Sequence, residues 1–314
     1  MAAAFVFPGQ GSQSVGMGRG LAEAFAPARQ VFEEVDEALG ARLSDIIWNG
    51  PAETLTLTEN AQPALMAVSL AAMRVLEREA GVDLGRDAAF VAGHSLGEYS
   101  ALAAARSLTI ADAARLLRTR GSAMQKAAPV GAGAMAALVG VEFGEAKAIA
   151  AEAASIGVCA AANDNGAGQV VLSGGKAAVE RAVEIAKARG VIRAMMLSVS
   201  APFHCSLMQP AADVMAAALS RVVIRTPRVP LVSNVLARPI SDADTIMRSL
   251  VAQVTGTVRW RESVDFMVRA GVTTFYEVGA GKVLTGLIKR IANTASAFAI
   301  GAPEDIARFE AVRS

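Results

Sequence analysis

The stretch AAFVAGHSLGEYSALAAA, residues 88–105, decides the fold. Ala88–Ala92 is a short apolar run and is predicted to be a buried strand. Ser95–Ala105 is Ala-rich and is predicted to be a helix. Between them stands Gly93-His94-Ser95-Leu96-Gly97. This is a G-x-S-x-G pattern at a strand-to-helix turn, the context a nucleophile elbow requires. The turn projects the serine hydroxyl outward. Gly93 and Gly97 carry no side chains, so strand and helix can approach closely. The helix N-terminus offers free N–H groups and a dipole that favours developing negative charge. The competing interpretation is a Gly-Ser-Gly turn without chemistry, and the register of strand, elbow and helix favours the nucleophile.

Working outward, Ala3–Phe7 is predicted to be a buried strand ended by the Pro8-Gly9-Gln10-Gly11 turn. Asn60–Ala80 and Ile110–Ala127 are predicted helices. Strands are expected at 131–141, 157–162, 169–173 and 191–199, with helices at 145–154 and 176–189. That order is β-α-β-β-α-β, the ferredoxin-like unit. Farther on, strands are expected at 230–232 and 273–277, and helices at 242–254, 257–270 and 282–292. Alternating buried strands and helices imply a parallel α/β core. The expected architecture is an α/β-hydrolase-like parallel-sheet core with an inserted ferredoxin-like α+β subdomain. The core takes residues 1–129 and 200–314, and the insert 130–199.

Composition narrows the function. The 314 residues include 30 Lys+Arg and 29 Asp+Glu, so no strongly basic surface for nucleic acid is expected. An apolar content of 53% excludes disorder. The mean hydropathy of +0.40 prompts a membrane test. The longest stretch without charge, Ala194–Ala212, contains Pro202, His204, Gln209 and Pro210 and makes a poor span. No Lys or Arg precedes the apolar Ala2–Phe7, so a signal peptide is not expected. The chain reads as soluble and cytoplasmic. Its two Cys cannot form a four-ligand zinc site without His, and do not suggest a secreted disulfide scaffold.

A nucleophilic serine needs a general base. The chain has only His94 and His204. His94 shares the elbow with Ser95, so its ring is expected to point away from the neighbouring hydroxyl. His204, in Ser200-Ala201-Pro202-Phe203-His204, is the remaining histidine base. Cys205, beside the base, is badly placed for attack and reads as a small core residue. Glu98 reads as a helix-start or structural carboxylate rather than a triad acid. Arg120, from its position alone, reads as an exposed helix arginine. The Pro8–Gln13 turn fails the dinucleotide pattern because Ser14 stands at the last glycine position. It remains open between a tight turn and a loop that aims N–H groups at an oxyanion. Gly279-Ala280-Gly281-Lys282 fails as a P-loop end, with Tyr276 and Val283 at required positions.

Six blocks carry a specific resemblance: FVFPGQGSQ (5–13), GHSLGEYSAL (93–102), RTRGSAMQ (118–125), NDNGAGQVVLSG (163–174), PFHC (202–205) and EVGAGKVLTGLIKR (277–290). In this order the chain resembles the bacterial malonyl-CoA:acyl-carrier-protein transacylases of fatty-acid synthesis, from Phe5 to about Arg290. The resemblance implies that Ser95 is the acylated nucleophile and His204 its base. It implies that Arg120 pairs with the malonyl carboxylate. It gives Gln10 and Leu96 as oxyanion-hole positions, and gives Gln253 a main-chain carbonyl that orients the histidine. Phe203 resembles the residue of malonyl-selective polyketide domains, although some bacterial relatives have Ser there. The implied partners are malonyl-CoA and acyl carrier protein, with no nucleic acid and no membrane. No cofactor is implied, because CoA and the carrier's phosphopantetheine are substrates.

The chemistry agrees with those roles. Two transfers through one serine give ping-pong kinetics. A buried Arg opposite the serine suits an anionic acyl group, because its planar fork binds carboxylate bidentately. A serine hydrolase shares the elbow and base, and a silent acyl-binding module could share the fold. Ser95, His204 and Arg120 together argue against the silent module.

Overall fold

A computed structural model describes residues 2–129, 131–197 and 199–313. Val130, the first residue assigned to the insert, and Ser198, inside the predicted strand 191–199, lie outside the described residues, as do Met1 and Ser314.

The strands are β1 (Ala2–Phe7), β2 (Phe90–Gly93), β3 (Gly133–Val139), β4 (Cys159–Gly166), β5 (Gln169–Gly175), β6 (Arg193–Met196), β7 (Leu231–Val232), β8 (Pro239–Ile240), β9 (Val272–Val278) and β10 (Ser296–Ile300). Six form one sheet in the order β10-β9-β1-β2-β7-β8. All neighbours run parallel except β8, which turns back antiparallel on β7. A parallel strand is covered on both faces, so it reads as a continuous apolar run. β1 illustrates this. Phe5 and Phe7 face one buried core, and Ala4 and Val6 face another. That is the two-residue side-chain period of a strand. The first core is closed by helices that include Thr58–Arg78, Ile110–Lys126, Gln209–Leu219 and Ala243–Thr255. The second is closed by Trp260–Arg269 and Val283–Ile291.

The remaining four strands form an antiparallel sheet in the order β4-β5-β3-β6. Two helices, Phe143–Ala153 and Lys176–Ala188, supply the α elements of the predicted β-α-β-β-α-β order. This sheet has its own core around Leu138, Ile149, Leu172 and Ile185. The fold is thus a parallel-sheet α/β core with a ferredoxin-like α+β insert.

Three differences from the sequence reading have physical causes. β4 runs on past the expected end at Ala162, through Asn163 to Gly166. They stay extended because the core pairs with them: Asp164 N–H donates to Val258 O at 2.9 Å and Val258 N–H to Ala162 O at 2.8 Å. Arg261 also meets the buried Asp164 carboxylate at 2.9 Å. Of the predicted strand 191–199, the described residues form β6 at Arg193–Met196, paired antiparallel with Ala136–Val139 of β3, and Leu197 N–H adds one more bond to Met135 O at 2.8 Å. β8, β10 and the helix Pro303–Arg313 were not expected; each lacks a strong period in sequence.

The high apolar content is absorbed inside. The helix Thr58–Arg78 is almost wholly buried, and its Ala residues let neighbouring helices approach. Among the described residues, no helix is long and apolar enough to cross a membrane.

Candidate active site

The elbow forms where β2 ends. Ser95 takes a left-handed backbone, φ 53°, and the following helix starts at Gly97 rather than at Ser95. The glycines are required by space. A Cβ on Gly93 would lie 1.9 Å from the Gly97 carbonyl carbon, and one on Gly97 would lie 2.3 Å from Phe7 O. His94 N–H donates to Phe7 O at 3.0 Å, which ties the elbow to the end of β1.

His204 arrives from the loop after the insert, also with a left-handed backbone at φ 60°. Two non-glycine residues in this region each cost on the order of 1–2 kcal/mol, and such strain concentrates at functional sites. Ser95 Oγ lies 2.8 Å from His204 Nε2. His204 Nδ1 lies 2.8 Å from the main-chain carbonyl of Gln253. A carbonyl only accepts, so Nδ1 carries the proton and Nε2 presents its lone pair to the serine hydroxyl. His94 points elsewhere, with Nε2 2.9 Å from Asn165 Oδ1.

Arg120 corrects the exposed-helix reading. It is 1% exposed. Its Nη1 donates to Gln62 Oε1 at 2.7 Å, and its Nη2 donates to Ser95 Oγ at 3.0 Å and Gln253 Oε1 at 2.8 Å. Its buried Nε has no partner among the described residues. The guanidinium thus touches the Ser95 hydroxyl, is held by neutral oxygens and keeps donor capacity for an anion.

Burial pushes the His204 imidazole down to about 3, and the nearby Arg120 charge pushes it the same way. The neutral ring is the form that accepts the serine proton. As pH falls, that form should persist well below the ordinary histidine value of 6.5. A pH profile of kcat/KM is therefore expected to stay flat from neutral pH down to roughly pH 5. An acid limb centred near 6.5 would contradict a base held neutral by burial.

A cavity of about 380 Å³ opens over this group. Gln10, Leu96 and Phe203 line it beside Ser95, His204 and Arg120. Gln10 is held by its side chain, whose Nε2 donates to Thr58 Oγ1 at 3.2 Å. Leu96 sits just before the first helical residue, where N–H groups lack an intrahelical acceptor. The Ser95 N–H is already engaged, donating to Asn234 Oδ1 at 2.8 Å. Cys205 is buried and its Sγ donates to Pro202 O, away from any attack role. Among the described residues, no group of three or more His, Cys, Asp or Glu could hold a metal ion.

The structure brings together Ser95, His204, Arg120 and Gln253, with Gln10, Leu96 and Phe203 around the cavity. Sequence reading missed Gln62 and Asn234. Gln62 left a signal, a polar residue within an otherwise apolar helix. Asn234 follows β7, at the carboxyl end of a parallel strand, where ligand sites of open α/β sheets gather.

The acyl transferase domain family matches residues 4–303. The chain is 54% identical to an acyl-carrier-protein-S-malonyltransferase from Bartonella henselae, with TM-score 0.97 and 99% of each chain covered. It is 46% identical to the malonyl CoA-acyl carrier protein transacylase of Escherichia coli K12 over 97% of both chains. It is also similar to a malonyl-transacylase solved in complex with its type II PKS acyl-carrier protein, at 42% identity and TM-score 0.94, with 98% of each covered. Matched over nearly its whole length, the chain belongs to the acyl transferase family.

Proposed function

We propose that this chain moves a malonyl group from CoA to the phosphopantetheine thiol of acyl carrier protein, in fatty-acid synthesis. One observation carries the reading: the Ser95 hydroxyl lies within hydrogen-bond reach of both a neutral base, His204, and a buried guanidinium, Arg120. A hydrolase of neutral esters has no use for that cation. The relatives' names and the carrier-protein complex add support.

In this mechanism Ser95 Oγ attacks the malonyl thioester carbonyl while His204 Nε2 takes its proton. The oxyanion is met by the backbone N–H groups of Gln10 and Leu96, each contributing roughly 3 kcal/mol. The tetrahedral intermediate collapses, the C–S bond breaks, and His204 returns the proton to the CoA thiolate. Malonyl-Ser95 remains, its carboxylate held by Arg120. The carrier thiol then gives its proton to His204 and attacks the ester, which regenerates the serine. Gln253 holds the imidazole by its main-chain carbonyl, and Phe203 walls the acyl pocket. The reaction uses no cofactor, since CoA and phosphopantetheine enter and leave as substrates.

We also propose the division into a core of residues 1–129 and 200–314 and a subdomain of 130–199, supported by the insert's separate sheet and core. A cytoplasmic location is part of the reading, supported by the two free cysteines.

Intact mass after incubation with malonyl-CoA tests the reading. A single malonyl adduct is expected, stable for minutes and discharged by holo carrier protein. Rapid turnover to free malonate, unchanged by carrier protein, would make the chain a thioesterase instead.

A further inference from the structure

The network behind the catalytic pair ends in Glu98, whose carboxyl is fully buried one turn beyond Ser95. Its Oε1 accepts the backbone N–H of Asn234 at 2.5 Å, and its Oε2 accepts from Gln253 Nε2. These two neighbours hold the elbow. Asn234 accepts the Ser95 N–H at 2.8 Å and donates Nδ2 to Gly93 O at 2.7 Å. Gln253 Nε2 also donates to Ser95 O at 2.9 Å.

Gln253 then divides its contacts. Its main-chain carbonyl accepts from His204, and its Oε1 accepts from Arg120. The orientation of this amide has a cause. Facing Gln253 Nε2 calls for an acceptor, and the Glu98 carboxylate accepts on both oxygens. With Nε2 held there, Oε1 is turned toward Arg120. Among the described residues, Arg120 donates only to neutral oxygens, and the Glu98 carboxyl lies one amide away. A carboxylate in direct contact would occupy the guanidinium that the substrate needs. The fork stays open because Glu98 reaches Arg120 only through the Gln253 amide.

We propose that Glu98 is a positioning residue which, through Gln253, fixes both the histidine base and the carboxylate-binding arginine. This rests on the malonyltransferase reading. Glu98→Gln preserves size but sets an NH₂ against a donor. Either one donor loses its acceptor, or the Gln253 amide turns and presents Nε2 to Arg120.

The test compares wild type, Glu98→Gln and Gln253→Met in carrier-protein loading from malonyl-CoA and from acetyl-CoA, with thermal melting as the check on folding. Folded Glu98→Gln is expected to lose on the order of 10–100-fold in kcat with malonyl-CoA, as misplaced catalytic groups do. Its malonyl-over-acetyl preference should fall several-fold. A folded variant with wild-type kcat and wild-type preference overturns the proposal, since a merely structural carboxylate would move only the melting temperature. If Glu98→Gln does not fold, Gln253→Met decides. It keeps the main-chain carbonyl but cuts the link from Glu98 to Arg120. Reduced malonyl preference supports the relay, and unchanged preference overturns it. Wild type that forms no malonyl-serine would overturn the functional reading itself, before any variant is made.

Discussion

Ser95→Ala is expected to abolish the malonyl adduct and to lower transfer by about 10⁴–10⁶-fold, the range seen when a catalytic serine is removed. The loss should be in chemistry and not in folding. Ser95 holds its place through backbone groups, its N–H bonded to Asn234 and its carbonyl to Gln253. An alanine keeps both bonds. The melting temperature should therefore change by no more than a few degrees. Arg120 loses one of its three oxygen contacts and retains Gln62 and Gln253. Peptide mapping of labelled wild-type protein is the check. A malonyl group on any peptide lacking Ser95, or an adduct that survives in Ser95→Ala, moves the nucleophile elsewhere.

Arg120→Ala is expected to cost malonyl transfer on the order of 10²–10⁴-fold in kcat/KM. Removing one partner of a buried ion pair costs about 3–5 kcal/mol, because the other charge is left unpaired. Here the stranded charge is the substrate carboxylate beside the buried Arg120. Acetyl-CoA carries no such charge, so its loading should fall far less and the preference between the two donors should shrink or invert. Competition between labelled malonyl-CoA and acetyl-CoA measures this directly. Retained malonyl preference would remove Arg120 from the role of carboxylate partner. The substitution also leaves Gln62 and Gln253 oxygens unpaired in the interior, so some loss of stability accompanies it.

The candidate nucleophile, Ser95, and candidate base, His204, are legible in the sequence for local reasons. The elbow needs small residues at fixed offsets, and Gly93 and Gly97 stand where backbone would otherwise collide with a Cβ. With two histidines in the chain, elbow geometry leaves His204. Arg120 was different. Position alone gave an exposed helix arginine, and only the resemblance named it. Its burial follows from its neighbour: a Cβ on Gly121 would lie 2.5 Å from the Glu59 Cα, so helix Ile110–Lys126 packs directly on helix Thr58–Arg78. That contact closes over Arg120, and no local pattern announces it. Asn234 and the extended Asn163–Gly166 segment depend likewise on partners far away in the chain. Both are polar stretches whose conformation is set by acceptors and donors that folding supplies.

The position of β1 has a consequence for how the protein is made. β1 is made before β2 and β9, and it pairs on one side with β2 and on the other with β9, Ala2 lying opposite Val272. Half of the central strand's backbone groups therefore wait for the last fifth of the chain. At about 5–20 residues per second, the delay after β2 is made is on the order of ten seconds or more. Until then the nascent chain carries an open, apolar parallel edge, a surface prone to wrong pairing. Ser95 emerges in the same interval, before His204 and Gln253 exist. It remains an ordinary alcohol at least until those residues are made, so its hydroxyl gains a base only after most of the chain has been synthesised.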